Sequence, residues 1–367
     1  MGRKSIETSY KENHETIMKQ SIILLFIVFM PLGIIGQKVK TTLNAYGHFD
    51  FMTVVEDDSV YSDFKLGEQE LFLNAKFNND FSFLSEITFN YASHGMYRLN
   101  IERLRLKYNY FGNHSAIIGK FHTPVNYWND AYFHARLFFP TIDRPMVFSK
   151  WIPVHTFGAR MQGQNLGKYN FGYDFLVGGG MSSEDVFKLH NELSITAAVH
   201  LKPIDGMRIG VSYYNTSTED ASSMAAHSHS GHEPDSTVYK GPLHFQLFNS
   251  SIAYFGERVE VLNEFSYNRT KTDSLGVANS FSNYLYFGYR IKEKNVPFVA
   301  YDILYAGEND LHTYPFDRMK CILGYKYEFS NNLNVKLQAE YYRNLHNNHN
   351  HDLATMFEFK IQLYYGL

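Results

Sequence analysis

Residues Phe121 to Lys150, FHTPVNYWNDAYFHARLFFPTIDRPMVFSK, form the longest stretch beyond the N-terminal region that does not follow a β-strand pattern. Proline has no backbone N–H to donate to a sheet ladder, and prolines interrupt this stretch at Pro124, Pro140 and Pro145. The stretch is nevertheless rich in aromatic side chains, which a surface loop has no reason to hold unless it packs against something. We therefore predict a long loop that folds inside the structure built by the flanking segments.

Short segments of alternating apolar and polar residues flank this loop on both sides, and sixteen can be counted. In the last one, Phe357, Phe359, Ile361 and Leu363 alternate with charged or amide side chains. Such alternation over about ten residues suits a strand that crosses a bilayer at a tilt, whereas strands of soluble sandwiches are nearer six. The expected segments are 39–54, 67–78, 80–92, 98–111, 114–122, 153–165, 168–179, 192–201, 206–216, 242–255, 258–270, 279–292, 296–306, 317–329, 333–344 and 354–367.

The connections between these segments alternate in length. Those after even-numbered segments are short and turn-like, whereas those after odd-numbered segments are mostly longer, such as 55–66, 123–152 and 217–241. Tight turns at one end and long loops at the other are typical of a transmembrane barrel, which has an even number of strands in bacterial outer membranes. We predict an all-β fold, a transmembrane antiparallel β-barrel of about 16 strands, with the third outer loop folded into a water-filled lumen. Barrels of fourteen or eighteen strands are the alternatives.

The composition agrees with a barrel in a membrane. Aromatic residues make up 17% of the chain, with 28 Tyr and 31 Phe against 2 Trp, and outer-membrane barrels use such residues for girdles at both lipid interfaces. Beyond residue 37 no apolar run has the length of a membrane helix, which argues against a multi-helix membrane protein. The formal net charge of −3 predicts no nucleic-acid partner.

Residues 1–37 are predicted to be a signal peptide and residues 38–367 a single barrel domain. A basic start precedes an apolar run of fourteen residues from Ile22 to Ile35, which suits a secretory signal and is short for a spanning helix. An uncleaved membrane anchor is the alternative. A start at Met18 is more ordinary than one at Met1 and would make residues 1–17 a misannotated extension. The expected location is the cell outer membrane of a Gram-negative bacterium, reached through a cleaved signal.

Three short pieces of sequence resemble a Bacteroidetes-like group of outer-membrane porin-like proteins: Gly119-Lys120-Phe121-His122-Thr123-Pro124, Asn126-Tyr127-Trp128-Asn129 and Ile142-Asp143-Arg144-Pro145. In that group the pattern G-(R/K)-F-H-T-P-x-G-Y-W-N is followed by I-D-R-P, and the group is broadly similar to the phosphate-selective porin superfamily. The match is close over 117–160 and architectural elsewhere. Asn126 stands where the pattern usually has Gly, so the backbone turn at this position is expected to differ from the one that Gly allows. The resemblance implies a porin-like channel, and sixteen-stranded porins typically fold the third loop into the lumen.

The loop and its flanks are the predicted pore constriction, and its permanent charges are mostly positive. Cationic side chains in a narrow passage attract anions, and arginine holds phosphate or carboxylate through two parallel donors. Arg136 is the better candidate for solute contact, because its sequence neighbours offer no partner. For Asp143 and Arg144 we favour attachment of the loop to the barrel wall. The constriction set is His122, Tyr127, Trp128, Asp130, His134, Arg136, Asp143, Arg144, Lys150 and Arg160.

Charged residues at inward strand positions lean weakly basic, which predicts at most a mild preference for anions. A shift of one residue would turn any strand's charges outward. The lumen-wall candidates are Arg105, Lys107, Lys336, Glu340 and Lys360.

The leading hypothesis is a porin-like channel for passive diffusion of small polar or anionic solutes, narrowed by the loop 121–150 and working without a cofactor. The alternative is an outer-membrane protein that binds divalent metal at two histidine-rich outer loops, 226–235 and 346–352, since histidines with acidic neighbours ligate Zn²⁺, Cu²⁺ or Ni²⁺. A hydrated polar loop is the simpler interpretation of both tracts. The metal candidates are His227, His229, His232, His346, His349 and His351.

An enzyme is not expected, because the sequence contains no G-x-S-x-G and no H-E-x-x-H motif. The expected partners are outer-membrane lipids, the outer-membrane assembly machinery, small solutes and two further copies of the chain in a homotrimer.

Overall fold

The computed structural model describes residues 39–56, 59–91, 97–132, 139–149, 151–180, 193–219, 241–307, 310, 317–345 and 355–367. Within these residues the chain forms sixteen strands, a short helix α1 (Tyr127–Ala131) and a 3₁₀ helix (Met146–Ser149). The strands are β1 (Lys40–Glu56), β2 (Ser59–Lys76), β3 (Phe81–Tyr91), β4 (Tyr97–Phe111), β5 (His114–His122), β6 (His155–Leu166), β7 (Phe171–Gly179), β8 (Leu193–Leu201), β9 (Met207–Thr218), β10 (Leu243–Phe255), β11 (Val259–Thr272), β12 (Gly276–Tyr289), β13 (Asn295–Tyr305), β14 (Arg318–Ser330), β15 (Leu333–Asn344) and β16 (Thr355–Gly366).

The strands form one closed antiparallel barrel in which each strand pairs with its neighbour in sequence. The barrel closes between β1 and β16, where Tyr46 lies opposite Gly366 and Glu56 lies opposite Met356. Closure pairs both edges of the described sheet, so neither of these edges is left open to aggregation. The predicted all-β barrel of sixteen strands is confirmed, and the alternatives of fourteen and eighteen strands are wrong.

The two faces of the barrel differ in composition. In β16, Phe359 and Leu363 are exposed on one face, whereas Gln362 and Tyr364 are buried on the other. Successive side chains of a strand point to opposite faces, so in a closed sheet the exposed apolar face is the outer one. Soluble proteins rarely expose a contiguous apolar surface of this kind.

Short turns, such as 112–113 between β4 and β5, lie at the end of the barrel where β1 begins and β16 ends, and the longest intervals between strands follow strands that end at the opposite side. One expected long connection, 55–66, is wrong. Instead β1 and β2 continue as a hairpin to Glu56 and Ser59, with Phe51 opposite Phe64. Cross-strand apolar pairs stabilise this extension, whereas the polar residues around the hairpin tip resemble a loop in the sequence alone.

Most of the other expected strands agree with the structure to within three residues at each end, and the bounds of β5 and β15 are as predicted. Within the described part of the chain, no helix has the length and apolar composition that crossing a bilayer requires.

Candidate functional site

Residues 123–154 connect β5 to β6, and the described part of this connection packs against the buried face of the barrel. Trp128, Phe139, Val147 and Trp151 are each at most 2% exposed. They form one hydrophobic cluster with inner-face side chains of β9 to β14. The barrel members of this cluster are Tyr214, Leu243, Phe245, Leu247, Ala253, Leu262, Tyr284, Tyr286, Phe298, Ala300, Leu304 and Ile322. Because burying one large apolar side chain is worth about 1.5–3 kcal/mol, the aromatic content of this connection stabilises its attachment to the wall.

Polar side chains of the barrel accept hydrogen bonds from backbone N–H groups of the connection. Trp128 donates to Glu264 of β11 at 3.0 Å, and Ile142 donates to Gln338 of β15 at 2.9 Å. Met146 donates to a carboxylate oxygen of β13 at 2.6 Å. A buried backbone N–H without a partner costs free energy, so these three bonds satisfy the non-strand backbone inside the structure.

Asp143 and Arg144 make different contacts. Asp143 accepts an ion-paired hydrogen bond from the ammonium of Lys360 on β16, with Nζ and Oδ2 2.5 Å apart. The guanidinium of Arg144 lies 5.5 Å from the ring centres of Phe139 and Phe148, inside the connection itself. The contact of Asp143 joins the connection to the barrel wall, whereas these contacts of Arg144 stay within the connection.

The first turn of the connection depends on Asn126. Its φ of 64° lies in the left-handed region that glycine adopts most easily, which fits the Gly that the related pattern usually has at this position. The Asn126 side chain also accepts from the backbone N–H of Trp128 at 2.9 Å and caps α1. Asn129 then donates to the carbonyls of Thr123 and Val154, at 2.8 and 3.1 Å, and closes the base of the connection.

A polar cavity of about 270 Å³ lies between α1 and the inner face of β4 to β9, away from the hydrophobic cluster. At about 30 Å³ per water, this volume holds a small hydrated solute. Its charges are unequal, with five permanent cations against one carboxylate. The lining residues are Arg103, Arg105, His122, Asp130, Arg160, Gln162, Gln164, His200, Lys202 and Arg208.

Four residues predicted from the sequence therefore meet in this cavity: His122, Asp130 and Arg160 of the constriction set and Arg105 of the lumen wall. Sequence reasoning missed the others. The i, i+2 spacing of Arg103 and Arg105 on β4 was a usable signal, since both side chains point to one face. No local pattern marks Arg208 or His200, because closure of the barrel brings them to the site.

Several of these cations have carboxylate partners. Asp130 on α1 bridges Arg160, at 3.4 Å, and Arg208. Arg160 also donates to Asp174 from two nitrogens at 2.8 and 2.6 Å. Burial opposes ionisation of Asp130, but the adjacent Arg208 and Arg160 outweigh burial and hold the pKa of Asp130 well below its ordinary value. Asp130 is therefore ionised at physiological pH.

Arg105 and Lys107 differ from these paired cations. Neither forms an ion pair or a hydrogen bond with any residue that the structure describes, although Arg105 lies within the electrostatic field of Arg103 and Arg160. Both point to the inner face of β4, where Arg103 already pairs with Glu86. The excess positive charge of the cavity therefore belongs chiefly to Arg105 and the turn residue Lys202, and Lys107 adds a further cation on the same face of β4, two residues from Arg105.

The other predicted lumen-wall residues lie on β15 and β16, apart from the cavity. Lys336 and Glu340 are fully buried, and Glu340 pairs with Lys360 at 3.1 Å. Tyr127 and Trp128 belong to α1, with Trp128 in the hydrophobic cluster. His134, Arg136, Lys150 and all six histidines of the metal set lie outside the described residues.

Asp130, Asp174 and His200 offer ligand atoms within 4.8 Å of one another, a spacing that suits a metal ion. Both carboxylates already pair with Arg160, and Arg208 contacts Asp130 and His200. The two guanidinium groups repel a metal cation at this distance, so this group is an ion-pair network rather than a metal centre.

Solved structures with similar folds include porins and other outer-membrane proteins. An anion-selective porin from Comamonas acidovorans matches with a TM-score of 0.64 at 11% identity, over 90% of this chain and 100% of that one. OmpT, an outer membrane protein of Vibrio cholerae, matches with a TM-score of 0.59 at 13% identity, over 89% of this chain and 98% of that one. The outer membrane channel DcaP of Acinetobacter baumannii matches with a TM-score of 0.58 at 12% identity, over 90% of this chain and 97% of that one. No family model and no curated protein matches the chain. At these identities the likeness establishes a shared porin-type fold.

Proposed function

We propose that this protein is a porin-like channel of the Gram-negative outer membrane through which small polar or anionic solutes diffuse passively. The observation that carries this proposal is the basic cavity, which lies inside a closed sixteen-stranded barrel beside an anchored connection. The porin-type fold shared with the anion-selective porin supports the same function.

The outer face supports insertion in a bilayer. Aromatic rings stack across neighbouring strands near both ends of the barrel, with Phe281 5.1 Å from Tyr305 at the loop end and Phe81 4.6 Å from Tyr108 at the turn end. Apolar side chains fill the band between them, as Val299 and Leu323 do. Two aromatic girdles around an apolar band are the outer surface of a membrane barrel.

We further propose that the connection 121–150 narrows the lumen on one side. Its hydrophobic cluster covers the inner face of β9 to β14, whereas the basic cavity lies against β4 to β9. Water and ions do not enter a closely packed apolar cluster, so the solute path is confined to the side of the barrel that carries Arg105 and Lys107.

Like the Vibrio cholerae OmpT structure in its trimer form, the protein is proposed to assemble as a homotrimer.

Single-channel recording in planar bilayers tests the channel and its selectivity. We expect steady open channels whose reversal potential in a KCl gradient favours chloride. The double variant Arg105→Gln/Lys107→Gln removes two unpaired cations and should lower the anion-to-cation permeability ratio several-fold. Lys271→Gln, an exposed charge on the outer side of β11, is the control and should leave the ratio unchanged. Stable insertion without conductance would overturn the proposed function, and an unchanged ratio in the double variant would overturn the location of the filter.

The native cysteine tests which face contacts lipid. Cys321 is exposed on the outer face of β14, opposite Tyr301 and Tyr341 on the adjacent strands. In folded protein in lipid vesicles, we expect Cys321 to react with membrane-permeant N-ethylmaleimide and to resist a charged thiosulfonate reagent. The same protein unfolded in urea should react with both reagents. Equal reaction of the folded protein with both would contradict a lipid-facing band.

A further inference from the structure

We infer that Asp130 is a built-in counter-ion of an oxyanion site formed by Arg160 and Arg208, and that its carboxylate sets how tightly the cavity holds permeating anions. This inference rests on the proposed channel and goes beyond it, because it assigns a binding site, a ligand class and a residue that limits affinity. The ligand class is a small oxyanion, and a solute carboxylate is the probe used below.

The position of Asp130 is imposed by the connection rather than by the barrel. Its backbone N–H donates to the Asn126 carbonyl at 3.2 Å, and the helix that carries it is held by the bond from Trp128 to Glu264. The side chain of Asp130 is 15% exposed where it meets the two arginines. A segment anchored on β11 thus delivers a carboxylate to cations on β6 and β9.

The charges of the cavity show what Asp130 does there. Arg103 pairs with Glu86, and Arg160 pairs with Asp174 as well as with Asp130. Among the described residues, Asp130 is the one carboxylate that forms an ion pair with Arg208. Without Asp130, Arg208 would join the unpaired cations of the site.

The ligand class follows from what the site already holds. Two guanidinium groups converge on the Asp130 carboxylate, and such planar donors match carboxylate or phosphate oxygens. Nδ1 of His200 lies 3.2 Å from a guanidinium nitrogen of Arg208, and His200 lines the same cavity. A solute carboxylate that approaches this place meets the donors but is repelled by Asp130, so binding stays weak. Weak binding favours conduction, since a solute must leave the site as readily as it enters.

Titration calorimetry with succinate on the detergent-solubilised barrel tests this inference independently of conductance. Asp130→Asn keeps the size of the side chain and removes its charge, so we expect succinate to bind three- to tenfold more tightly than to the wild type. Asp143→Asn is the matched control, because Asp143 is a carboxylate of the same connection that pairs with Lys360 outside the cavity. It should leave succinate affinity unchanged.

A double-mutant cycle with Arg208→Gln separates a counter-ion from a structural ion pair. Arg208→Gln alone should weaken succinate binding, and Asp130→Asn/Arg208→Gln should return it close to the wild-type value. Thermal unfolding of each variant reports whether the barrel is intact. Unchanged or weaker affinity in Asp130→Asn, or an equal gain in Asp143→Asn, would overturn the inference. If Asp130→Asn binds succinate more tightly as expected but the wild-type protein never conducts, the result would instead count against the proposed channel.

Discussion

Trp128→Ala should lower the free energy of unfolding by about 3–5 kcal/mol, the range for removing a large aromatic side chain from a packed core. Trp128 is 1% exposed, and its ring centre lies 5.2–5.5 Å from those of Tyr132, Phe139 and Tyr284. It therefore joins α1 to the other end of the connection and to the wall of β12. Its loss should also raise open-channel current noise, since the connection loses its largest contact with the barrel.

Urea titration of the folded protein in micelles measures the first effect. Phe111→Ala is the control, because Phe111 is 75% exposed beside a turn and packs against little protein. Its truncation should cost much less than that of Trp128. Similar losses for the two variants would contradict the role of Trp128 as the anchor of the connection.

Arg160→Met should destabilise the barrel by about 3–5 kcal/mol, because it leaves the carboxylate of Asp174 buried without its cation. The side chain of Asp174 is 0% exposed and that of Arg160 is 7% exposed, so the charge of Asp174 depends on Arg160 rather than on bulk water for its stabilisation. The neighbours of Arg160 across the sheet, Ile117 and Leu176, are both buried and apolar. A methionine can therefore occupy the space, and the cost is electrostatic.

The double variant Arg160→Met/Asp174→Leu tests this cause. Replacing both partners of a buried ion pair with apolar residues is often neutral, so the double variant should recover most of the lost stability. A double variant as unstable as Arg160→Met alone would show that packing around Arg160, rather than the unpaired carboxylate, dominates.

Much of the fold could be predicted because strand alternation is a local property. In β16 the sequence places Phe359 and Lys360 on opposite faces, and the structure agrees. The error at β2 arose because its first residues form a hairpin beyond the apolar band, where alternation is weak and pairing with β1 supplies the order.

The candidate site could be predicted only in part. The aromatic and proline content of 121–150 marked the connection, and His122, Asp130 and Arg160 are charged or polar residues within or beside it. Arg208 carries no such mark, since it is one of many cations near the start of a strand. It belongs to the site because β9 lies three strands from β6 in the closed barrel and its side chain turns inward.

The sequence by itself determined the barrel class, the two faces of each strand and the presence of a long aromatic connection, because each depends on the types and order of residues that are close together in the chain. Only the tertiary structure decided which wall that connection covers and which cations remain unpaired. Those outcomes depend on contacts such as Trp128 with Glu264 and Asp143 with Lys360, which join residues 136 and 217 positions apart. No local pattern encodes such pairs, since they exist only once β1 and β16 have closed the barrel and brought the inner faces together.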